Sequence, residues 1–442
     1  MGFGSVTIPR RPRVTFIGGG SLMWMPTLLR DCCLTPELAG FELVLHDLDP
    51  AAVAVMVALG RKMIREFGAD LSISSSAFRP RALAGARFVV IGISTGGLEA
   101  FGRDLAVTAA FGVRHPVGDT AGPAGISRAL RNVPVFDSIA RDVLAVCPDA
   151  WVLNHSNPMT ALTRAMTRLP GVKAAGLCHG VREGEACIRA ALGIPDAARV
   201  RVDAAGINHF AWAVRCRIDG RDGWPALEKA MKAARRRPPM PDYRLAVALF
   251  ARHGAFPCNP DPHTAEFLPD VLGPGCDRGR RYGLTFKTIA GRRARLVRLR
   301  RRVREWLAGP VPPERSEEEL TPVLAALVTG RPCEAVVNVP NQGQFADAPP
   351  DAVVESFGTV DHLGIRPLVS PPLPPAVRAL ALAHVRSEEL TVEAALTGDR
   401  ALLREAFAAD PLARRVPRLG EMIDRLLIAN RRLLPRFFPA SR

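Results

Sequence analysis

The 442-residue chain is predicted to be an α/β protein, with a Rossmann-type, doubly wound parallel sheet followed by a larger α+β domain. Three observations predict this class. Short β-branched strands alternate with helical patterns in the first part of the chain, the first strand ends in a glycine-rich turn, and the later part changes texture. We therefore expect a nucleotide-binding domain over residues 1–180 and a second, α+β domain over residues 181–442.

The first part of the chain contains short apolar runs separated by helix-compatible segments. The predicted strands are residues 13–17, 41–45, 88–93, 151–153 and 172–177, and a helix is predicted over residues 50–67. Strands that alternate with helices in this way favour a parallel sheet with right-handed crossovers. The carboxyl ends of such strands share one edge of the sheet, which is where open α/β sheets bind ligands.

From about residue 199 the pattern alternates with a period of two. Residues 199–204 alternate, and residues 211–218 with Asp219-Gly220 predict one arm of a β-hairpin. Proline-rich breaks follow at 235–241 and 367–375, and a loop-rich segment is predicted at 338–350. The tail, residues 376–438, is almost wholly helical by its periodicity.

The composition is typical of a soluble globular protein. Apolar residues make up 48% and charged residues 23%, and no apolar run reaches the roughly 18 residues that a membrane helix needs. The nine cysteines form no CxxC pair, and the N-terminal apolar run lacks the cleavage site of a secretory signal. Free thiols indicate a reducing compartment, so we expect a cytoplasmic protein with no membrane partner.

The net charge of +16 does not by itself predict a nucleic-acid partner. All but five of the 59 basic residues are arginine, which is typical of a compositional bias of the source genome. The densest basic stretch, residues 278–304, carries Leu296, Val297, Leu299 and Val303 at helical spacing, with Trp306 following. An amphipathic helix with a solvated arginine face is therefore preferred to a nucleic-acid site.

A dinucleotide site is predicted at the end of the first strand, where Gly18, Gly19, Gly20 and Ser21 lead into a helix. Glycine lets the backbone approach a pyrophosphate closely, and a helix N-terminus supplies oriented N–H groups. Asp47, at the end of the second strand, is placed to bond ribose hydroxyls, which favours NAD over NADP. The alternative is a structural turn beside a solvated aspartate.

Polar residues follow the later strands of the predicted sheet. Gly96, Asn157 and Cys178 come after three successive strands and should face the same crevice as the glycine turn. His209 lies 31 residues beyond Cys178, and a thiolate with an imidazole can bind a divalent transition metal. From spacing alone, a buried inert cysteine and a packed histidine remain the alternative.

Two further stretches are unusually polar for their apolar neighbours. Residues 259–269 bring Asp261, His263 and Glu266 close together in sequence, and residues 337–343 contain Asn338 and Asn341. Amide side chains can bind sugar hydroxyls through paired donors and acceptors. Two ordered loops capped by Asp and Asn are the structural alternative.

Taken together, the motifs resemble those of glycoside hydrolase family 4, NAD- and metal-dependent glycosidases related to the lactate and malate dehydrogenases. The resemblance covers nearly the whole chain, and its motifs occur in the family's order. They are Gly18 to Ser21, Asp47, residues 88–93 with Gly96-Gly97, residues 119–125 with Ala129-Leu130-Arg131, Asn157-Pro158, Cys178-His179-Gly180, Asn208-His209-Phe210, and residues 337–343 leading to Val353-Val354-Glu355.

The resemblance implies a set of site residues. Cys178 and His209 match the metal ligands, usually for Mn²⁺, and Asn157 matches the residue that holds the sugar beside the metal. The further substrate-binding candidates are Asp119, His263 and Asn341. The pair Cys178-His179 is similar to the branch that contains α-glucosidases, α-galactosidases and α-galacturonidases.

The resemblance also implies a mechanism that departs from the usual pair of carboxylates. NAD takes a hydride from C3 of the sugar, the metal polarises the resulting ketone, and a base removes the C2 proton so that the glycosidic oxygen leaves. Water then adds back and NADH returns the hydride, so the dinucleotide is regenerated in each cycle. Asp261 is the favoured base, Tyr243 the second candidate, and water or His263 the remaining possibilities. His179 is the candidate acid that protonates the leaving oxygen, against a merely structural role.

Some points stay open on the sequence alone. Ser94 stands where several family members carry arginine, which argues against a 6-phosphorylated sugar. The rival hypotheses are an NAD-dependent 2-hydroxy-acid dehydrogenase of the lactate/malate type and a non-enzymatic NAD sensor or basic nucleic-acid binder. The resemblance implies a homodimer or homotetramer and a small glycoside substrate, but the sequence does not identify the sugar or its anomer.

Overall fold

The computed structural model describes residues 11–439, in which one mixed sheet runs through the whole molecule. Its strands are β1 Arg13–Ile17, β2 Phe41–His46, β3 Leu71–Ser75, β4 Ala86–Ile91, β5 Trp151–Asn154, β6 Lys173–Leu177, β7 Val200–Ile207, β8 Phe210–Ile218, β9 Arg221–Asp222, β10 Phe256–Pro257, β11 Cys333–Pro340, β12 Val353–Asp361 and β13 Gly364–Pro367.

Helices cover both faces of this sheet. They are α1 Met25–Cys33, α2 Pro50–Glu66, α3 Arg79–Leu83, α4 Gly97–Ala110, α5 Gly122–Val146, α6 Met159–Thr167, α7 Gly180–Leu192, α8 Trp224–Ala234, α9 Arg244–His253, α10 Asp261–Thr264, α11 Pro269–Leu272, α12 Ile289–Ala308, α13 Leu320–Thr329, α14 Pro375–Thr397, α15 Arg400–Ala409 and α16 Leu419–Ala429.

The first six strands form the predicted doubly wound parallel sheet, in the spatial order β3-β2-β1-β4-β5-β6. Along β4, Phe88 and Val90 join one buried cluster and Val89 and Ile91 the other, since successive side chains point to opposite faces. Burial on both faces explains the uninterrupted apolar runs in the sequence. The edge strand β3 was missed because its sequence, LSISS, is polar and half-buried.

The sheet does not end with the parallel part. β11 pairs antiparallel with β6 through the registers Val337↔Leu177 and Asn338↔Gly176, and β12, β7, β8 and β10 continue the sheet outward. The hairpin arm predicted over residues 211–218, with its turn at Asp219-Gly220, is present as β8, which pairs antiparallel with β9. The alternating run at residues 199–204 lies in β7, which also pairs antiparallel with β8. The boundary at residue 180 stays a prediction, because strands from both sides of it share one sheet.

Some predicted boundaries need correction. The strand predicted over residues 88–93 ends at Ile91, and the polar segment predicted as loop from residue 338 begins inside β11. Asn338 is therefore a buried strand residue rather than a loop residue, because its side chain is held inside the sheet by a carboxylate of β12.

The arginine-rich stretch forms α12, and only one side of it is buried. Val303 and Trp306 are buried against α2, whereas Val297 is 63% exposed. The amphipathic helix with a solvated arginine face is confirmed at its C-terminal half. Over residues 11–439, every helix is too short or too polar to cross a membrane.

The C-terminal tail is helical, as predicted, and docks on the parallel half of the same chain. Asn430, which follows α16, is buried, and its Nδ2 donates to Asp104 Oδ1 of α4 at 2.9 Å. Asp104 in turn pairs with Arg131 of α5 at 2.7 Å and accepts the hydroxyl of Ser127 at 2.7 Å. The tail therefore packs against a buried network of charged and polar side chains.

Candidate active site

The glycine-rich turn after β1 is packed tightly between β2 and the end of β4. The amides of Gly18 and Gly19 both donate to the His46 carbonyl, each at 2.9 Å. Gly18 has φ +93°, and a Cβ at this position would lie 2.4 Å from the Gly92 carbonyl oxygen. The turn therefore requires glycine, which is the property that lets a backbone approach a pyrophosphate closely.

Asp47 joins this turn to the end of β2. Its Oδ2 accepts the amide of Gly20 at 3.0 Å, and its Oδ1 accepts the amide of Asp49 at 3.3 Å. The Ser21 amide donates to the Gly18 carbonyl at 3.0 Å and completes the turn. The carboxylate is only half-buried, and its contact with a ribose stays a prediction.

Gly96 lies at the N-terminus of α4, two strands along the same edge of the sheet. Its φ is +79°, and a Cβ there would lie 2.4 Å from Leu433 Cδ1 of the C-terminal tail. Glycine is thus required here by backbone conformation and by the docked tail. Its role in binding the cofactor stays a prediction.

Three potential metal ligands converge near the turn between β7 and β8. One donor atom from each of Asp119, His209 and His263 lies within 4.8 Å of the other two. Thr120 Oγ1 is 2.8 Å from His209 Nδ1 and donates to Asp119 Oδ1 at 2.9 Å, so it holds two of the three side chains. The rings of His209 and His263 are 4.1 Å apart.

The electrostatics of this cluster suit a cation. Burial lowers the pKa of His209 to about 4, and it lowers the pKa of His263 well below its usual value. Burial alone would raise the pKa of Asp119, but the charges of His263 and His209 in their protonated forms, followed by those of Arg128 and Arg292, bring it down to about 2. Two neutral imidazoles and a carboxylate are ligands for a divalent transition ion.

Cys178 follows β6, and its side chain is buried. Its Sγ accepts the amide of Gly180 at 3.5 Å. Burial, reinforced by the carboxyl of Glu355, raises the pKa of the thiol, so binding a metal would require the loss of its proton. The structure brings Asp119 and His263 to His209, and the sharing of an ion by Cys178 and His209 stays a prediction.

His179, the residue after Cys178, lies between two acids. Its Nδ1 is 3.5 Å from Glu318 and its Nε2 is 3.7 Å from Glu183. The hydrogen bond to Glu318 is the main cause that raises the pKa of His179 to about 9. The imidazole is therefore protonated at neutral pH, which is the form that a proton donor needs.

Asn157 is positioned through its main chain. Its carbonyl accepts Arg128 Nε at 2.8 Å, while its side-chain Oδ1 is buried and has no partner within residues 11–439. A buried acceptor without a partner is costly unless a ligand satisfies it. This is what we expect of a residue that binds a sugar hydroxyl.

The two candidate bases are both engaged elsewhere in the structure. The Asp261 carboxylate caps α9, accepting the amides of Leu245 at 2.6 Å and Ala246 at 2.9 Å, and burial raises its pKa to about 7. The Tyr243 hydroxyl is buried and donates to the Cys258 carbonyl at 3.0 Å. Neither group belongs to the cluster around His209.

Asn341 is also occupied. Its Nδ2 donates to the carbonyls of Phe345 at 3.0 Å and Ala348 at 2.7 Å, and its Oδ1 accepts the amides of Gly343 and Phe345. The side chain organises its own loop, as the structural alternative proposed. A contact with substrate would require some of these bonds to break.

A buried polar group next to Cys178 went unassigned in the sequence. Glu355 Oε2 accepts Nδ2 of Asn208 at 3.0 Å and Nδ2 of Asn338 at 2.7 Å, and burial raises the pKa of Glu355 to about 7. The available signal was a carboxylate that directly follows two valines, in Val353-Val354-Glu355. It holds Asn208, the neighbour of His209, in place.

Comparison with known proteins decides what kind of enzyme carries these residues. The family 4 glycosyl hydrolase description matches residues 13–194, and that of the family 4 glycosyl hydrolase C-terminal domain matches residues 204–413. The chain belongs to glycosyl hydrolase family 4. It is a glycosidase, the resemblance drawn from the motifs is confirmed, and the dehydrogenase alternative has no support.

Relatives of this family 4 enzyme differ in the sugar they are named for. An α-galactosidase from Rhizobium meliloti is 30% identical, over 96% of this chain and 89% of its own. An α-galacturonidase from Bacillus subtilis is 31% identical, over 90% of this chain and 93% of its own. Overall sequence similarity therefore does not identify the sugar, which has to be inferred from the residues of the site.

Solved structures confirm the α/β fold. A putative glucosidase from Bacillus subtilis has a TM-score of 0.86 at 29% identity, covering 95% of this chain and 99% of its own. A 6-phospho-alpha-glucosidase from gut microorganisms, in complex with NAD and Mn²⁺, has a TM-score of 0.82 at 21% identity, covering 96% and 99%. The second likeness bears on the fold alone.

Proposed function

We propose that this family 4 glycosidase cleaves an α-glycoside of galacturonic acid, galactose or glucose, with NAD and Mn²⁺ as cofactors. The sugar is oxidised at C3, loses its C2 proton and the glycosidic oxygen by elimination, and is then restored by addition of water and return of the hydride to C3. The observation that carries the proposal is the meeting of Asp119, His209 and His263, with Thr120 holding two of the three side chains. The complex of a family relative with NAD and Mn²⁺ supports the choice of cofactors.

The residues of this chain divide the work of the reaction. When bound, NAD⁺ accepts the C3 hydride of the sugar and a divalent ion acidifies its C2 proton. The amides of the turn at residues 18–20 hold the pyrophosphate, and Asp47 the ribose. Asp119, His209 and His263, together with Cys178, are the donors for the ion.

Sugar binding and protonation fall to the residues after β5 and β6. Asn157 Oδ1, which lacks a partner within the described chain, accepts a sugar hydroxyl. His179 is half-exposed and cationic at neutral pH, and it donates its proton to the leaving glycosidic oxygen. Glu318, on the other side of the ring, stabilises the cation between turnovers.

The test is cleavage of aryl α- and β-glycosides, including galacturonide, glucuronide, galactoside and glucoside. Each is assayed with NAD, Mn²⁺ and a thiol reductant, and again with NAD or the metal left out after stripping. We expect cleavage that needs both additions and is slowed by deuterium at C2 or C3 of the sugar. Cleavage that is indifferent to NAD and shows no isotope effect would rule out the oxidation route.

The C2 base is proposed to be Asp261, with Tyr243 as the alternative. D261N and Y243F are compared in solvent D₂O for exchange of the C2 proton, and circular dichroism checks that each folds. Loss of exchange in a folded D261N identifies the base. Unchanged exchange in both variants would assign the step to water or His263.

The setting of the enzyme is proposed in the same way. We propose a cytoplasmic homodimer or homotetramer, without nucleic-acid or membrane partners, acting on a small glycoside. Sedimentation velocity measures the assembly directly. A monomer that is fully active at assay concentration would contradict the proposed oligomer without affecting the chemistry.

A further inference from the structure

Two guanidinium groups lie on one aromatic ring beside the candidate active site. Arg292 of α12 places its Cζ 4.4 Å from the centre of the Phe101 ring of α4, and Arg128 of α5 does so at 5.6 Å. Arg128 Nε donates to the Asn157 carbonyl at 2.8 Å, and Arg292 Nη2 donates to the Val117 carbonyl at 2.8 Å. Ring and carbonyls hold both groups in place.

Neither guanidinium forms an ion pair with any residue between 11 and 439, although both side chains are only partly accessible. Arg292 Nε is buried and has no hydrogen-bond partner there. The acids whose charges act on the two arginines do not form ion pairs with them. Glu266 accepts two backbone amides at 2.6 and 2.8 Å, and Asp119 belongs to the metal-ligating cluster.

Charges that are partly buried without a partner favour binding of an anion. A third cation, Lys287, is exposed just before α12 and borders a cavity of about 270 Å³ together with Arg114 and His115. The cavity is also lined by Gly102, the residue after Phe101, and by Ile289 of α12, so further positive charge borders the same two helices.

The sheet order separates this anion site from the dinucleotide phosphates. The pyrophosphate is expected at the turn after β1, whereas Arg128 contacts Asn157, which follows β5, and β4 lies between those two strands. Asn157 is on the sugar side of the site. An anion bound by the two arginines would therefore be a group of the sugar.

We propose that Arg128 and Arg292 bind a carboxylate on the sugar, so that the enzyme prefers a hexuronide such as a galacturonide to a neutral hexoside. The planar guanidinium fork matches a carboxylate in geometry and charge. This inference rests on the proposed function and selects among its substrates. A phosphate on C6 has related chemistry and forms a separate arm of the test.

The experiment compares kcat/KM for aryl α-galacturonide, α-galactoside and α-galactoside 6-phosphate, using the full chain with NAD and Mn²⁺. We expect the galacturonide to be preferred. In R292Q and in R128Q the ratio of galacturonide to galactoside activity should fall at least about 30-fold, since a charge-assisted hydrogen bond to the carboxylate is lost. R295Q, on the exposed face of α12, is the matched control and should keep the wild-type ratio.

A second measurement needs no variant. Calorimetry of the wild-type protein compares galacturonate with galactose and galactose 6-phosphate, and we expect galacturonate to bind at least about 10-fold more tightly than either. Preference for the neutral sugar, or for the phosphate, overturns the carboxylate site.

The failures of the two proposals are distinguishable. NAD- and metal-dependent cleavage of galactoside in preference to galacturonide overturns the carboxylate site and leaves the proposed function standing. Absence of NAD-dependent cleavage of every glycoside overturns the proposed function, and the calorimetry then decides the anion site independently.

Discussion

His209 is held in a backbone conformation that few histidines adopt. It follows β7, has φ +65° and turns the chain into β8, while its Nδ1 is 2.8 Å from the Thr120 hydroxyl. A non-glycine residue in the left-handed region costs conformational energy, so its presence points to a functional constraint. This backbone conformation places the imidazole beside Asp119 and His263.

From the proximity of these side chains we propose that His209 and His263 both bind the metal. We expect H209A and H263A each to weaken Mn²⁺ binding at least about 10-fold, because each removes a neutral donor from the cluster. Mn²⁺ titration followed by electron paramagnetic resonance measures the affinity. H362A, an exposed histidine in the turn between β12 and β13, is the control. Unchanged affinity in H263A would leave the ion to Cys178 and His209.

At the scale of single elements, the turn after β1 shows how a few glycines shape a binding edge. Gly18 has no room for a side chain, because the Gly92 carbonyl of the neighbouring strand end lies against it. Gly40, before β2, also has a positive φ, of +81°, but no atom lies within 4 Å of its virtual Cβ. A substitution at Gly40 therefore tests backbone strain alone, whereas a substitution at Gly18 tests strain together with a steric clash.

G18A is expected to lower both stability and NAD affinity. G40A should cost about 1 kcal/mol of unfolding free energy, which is the strain of a left-handed residue, and leave NAD affinity unchanged. G18A adds a clash with Gly92, so it should cost more and weaken NAD binding at least about 10-fold. Denaturant unfolding and fluorescence titration with NAD measure the two effects. Equal behaviour of the variants would show that the turn tolerates a methyl group.

The helix α14 contains an acid that makes stability depend on pH. Burial, helped by the charges of Glu389 and Asp410, raises the pKa of Glu388 well above its ordinary value, and its Oε2 has no partner within the described chain. The folded state thus holds a proton that the unfolded state releases above about pH 4.5. Folding stability should therefore fall as pH rises above that value.

E388Q tests this dependence. The variant should melt at a higher temperature than wild type at pH 8 and at nearly the same temperature at pH 4, because only the wild type has a proton to lose. E405Q, an exposed acid on α15, should follow the wild type at both pH values. A difference between E388Q and wild type that does not grow with pH would contradict the assignment.

For the whole molecule, the C-terminal tail ties distant parts of the chain together. Asn430 completes the buried pairing of Asp104 with Arg131, and Leu433 packs against Gly96 at the start of α4. Residues near the end of the chain thus stabilise the nucleotide-binding half. We expect the tail to be part of the cooperative fold rather than an appendage.

N430A should destabilise the protein by about 1–3 kcal/mol, because it removes a hydrogen bond to a buried carboxylate. Urea unfolding at constant enzyme concentration measures the loss. R432A changes an exposed arginine two residues further on and should have little effect. Equal stability of N430A and wild type would mean that water replaces the lost donor.

The parallel half of the fold and the enzyme family could both be predicted from the amino-acid sequence. β1, β2, β5 and β6 lie within one residue of their predicted limits, since runs buried on both faces leave a strong local signal. The edge strand β3, which is half-exposed, left none. The motifs at the strand ends kept the family's order, and their glycines mark steric requirements of the local backbone.

Which side chains meet follows from the tertiary structure and not from any local sequence pattern. Asp119, His209 and His263 come from three separate segments and converge through packing, as Arg128 and Arg292 do on Phe101. Likewise, the capping of α9 by Asp261 depends on where a distant helix end lies. Local sterics and periodicity specify elements, whereas contacts between elements depend on burial and charge pairing across the chain, which no local pattern contains.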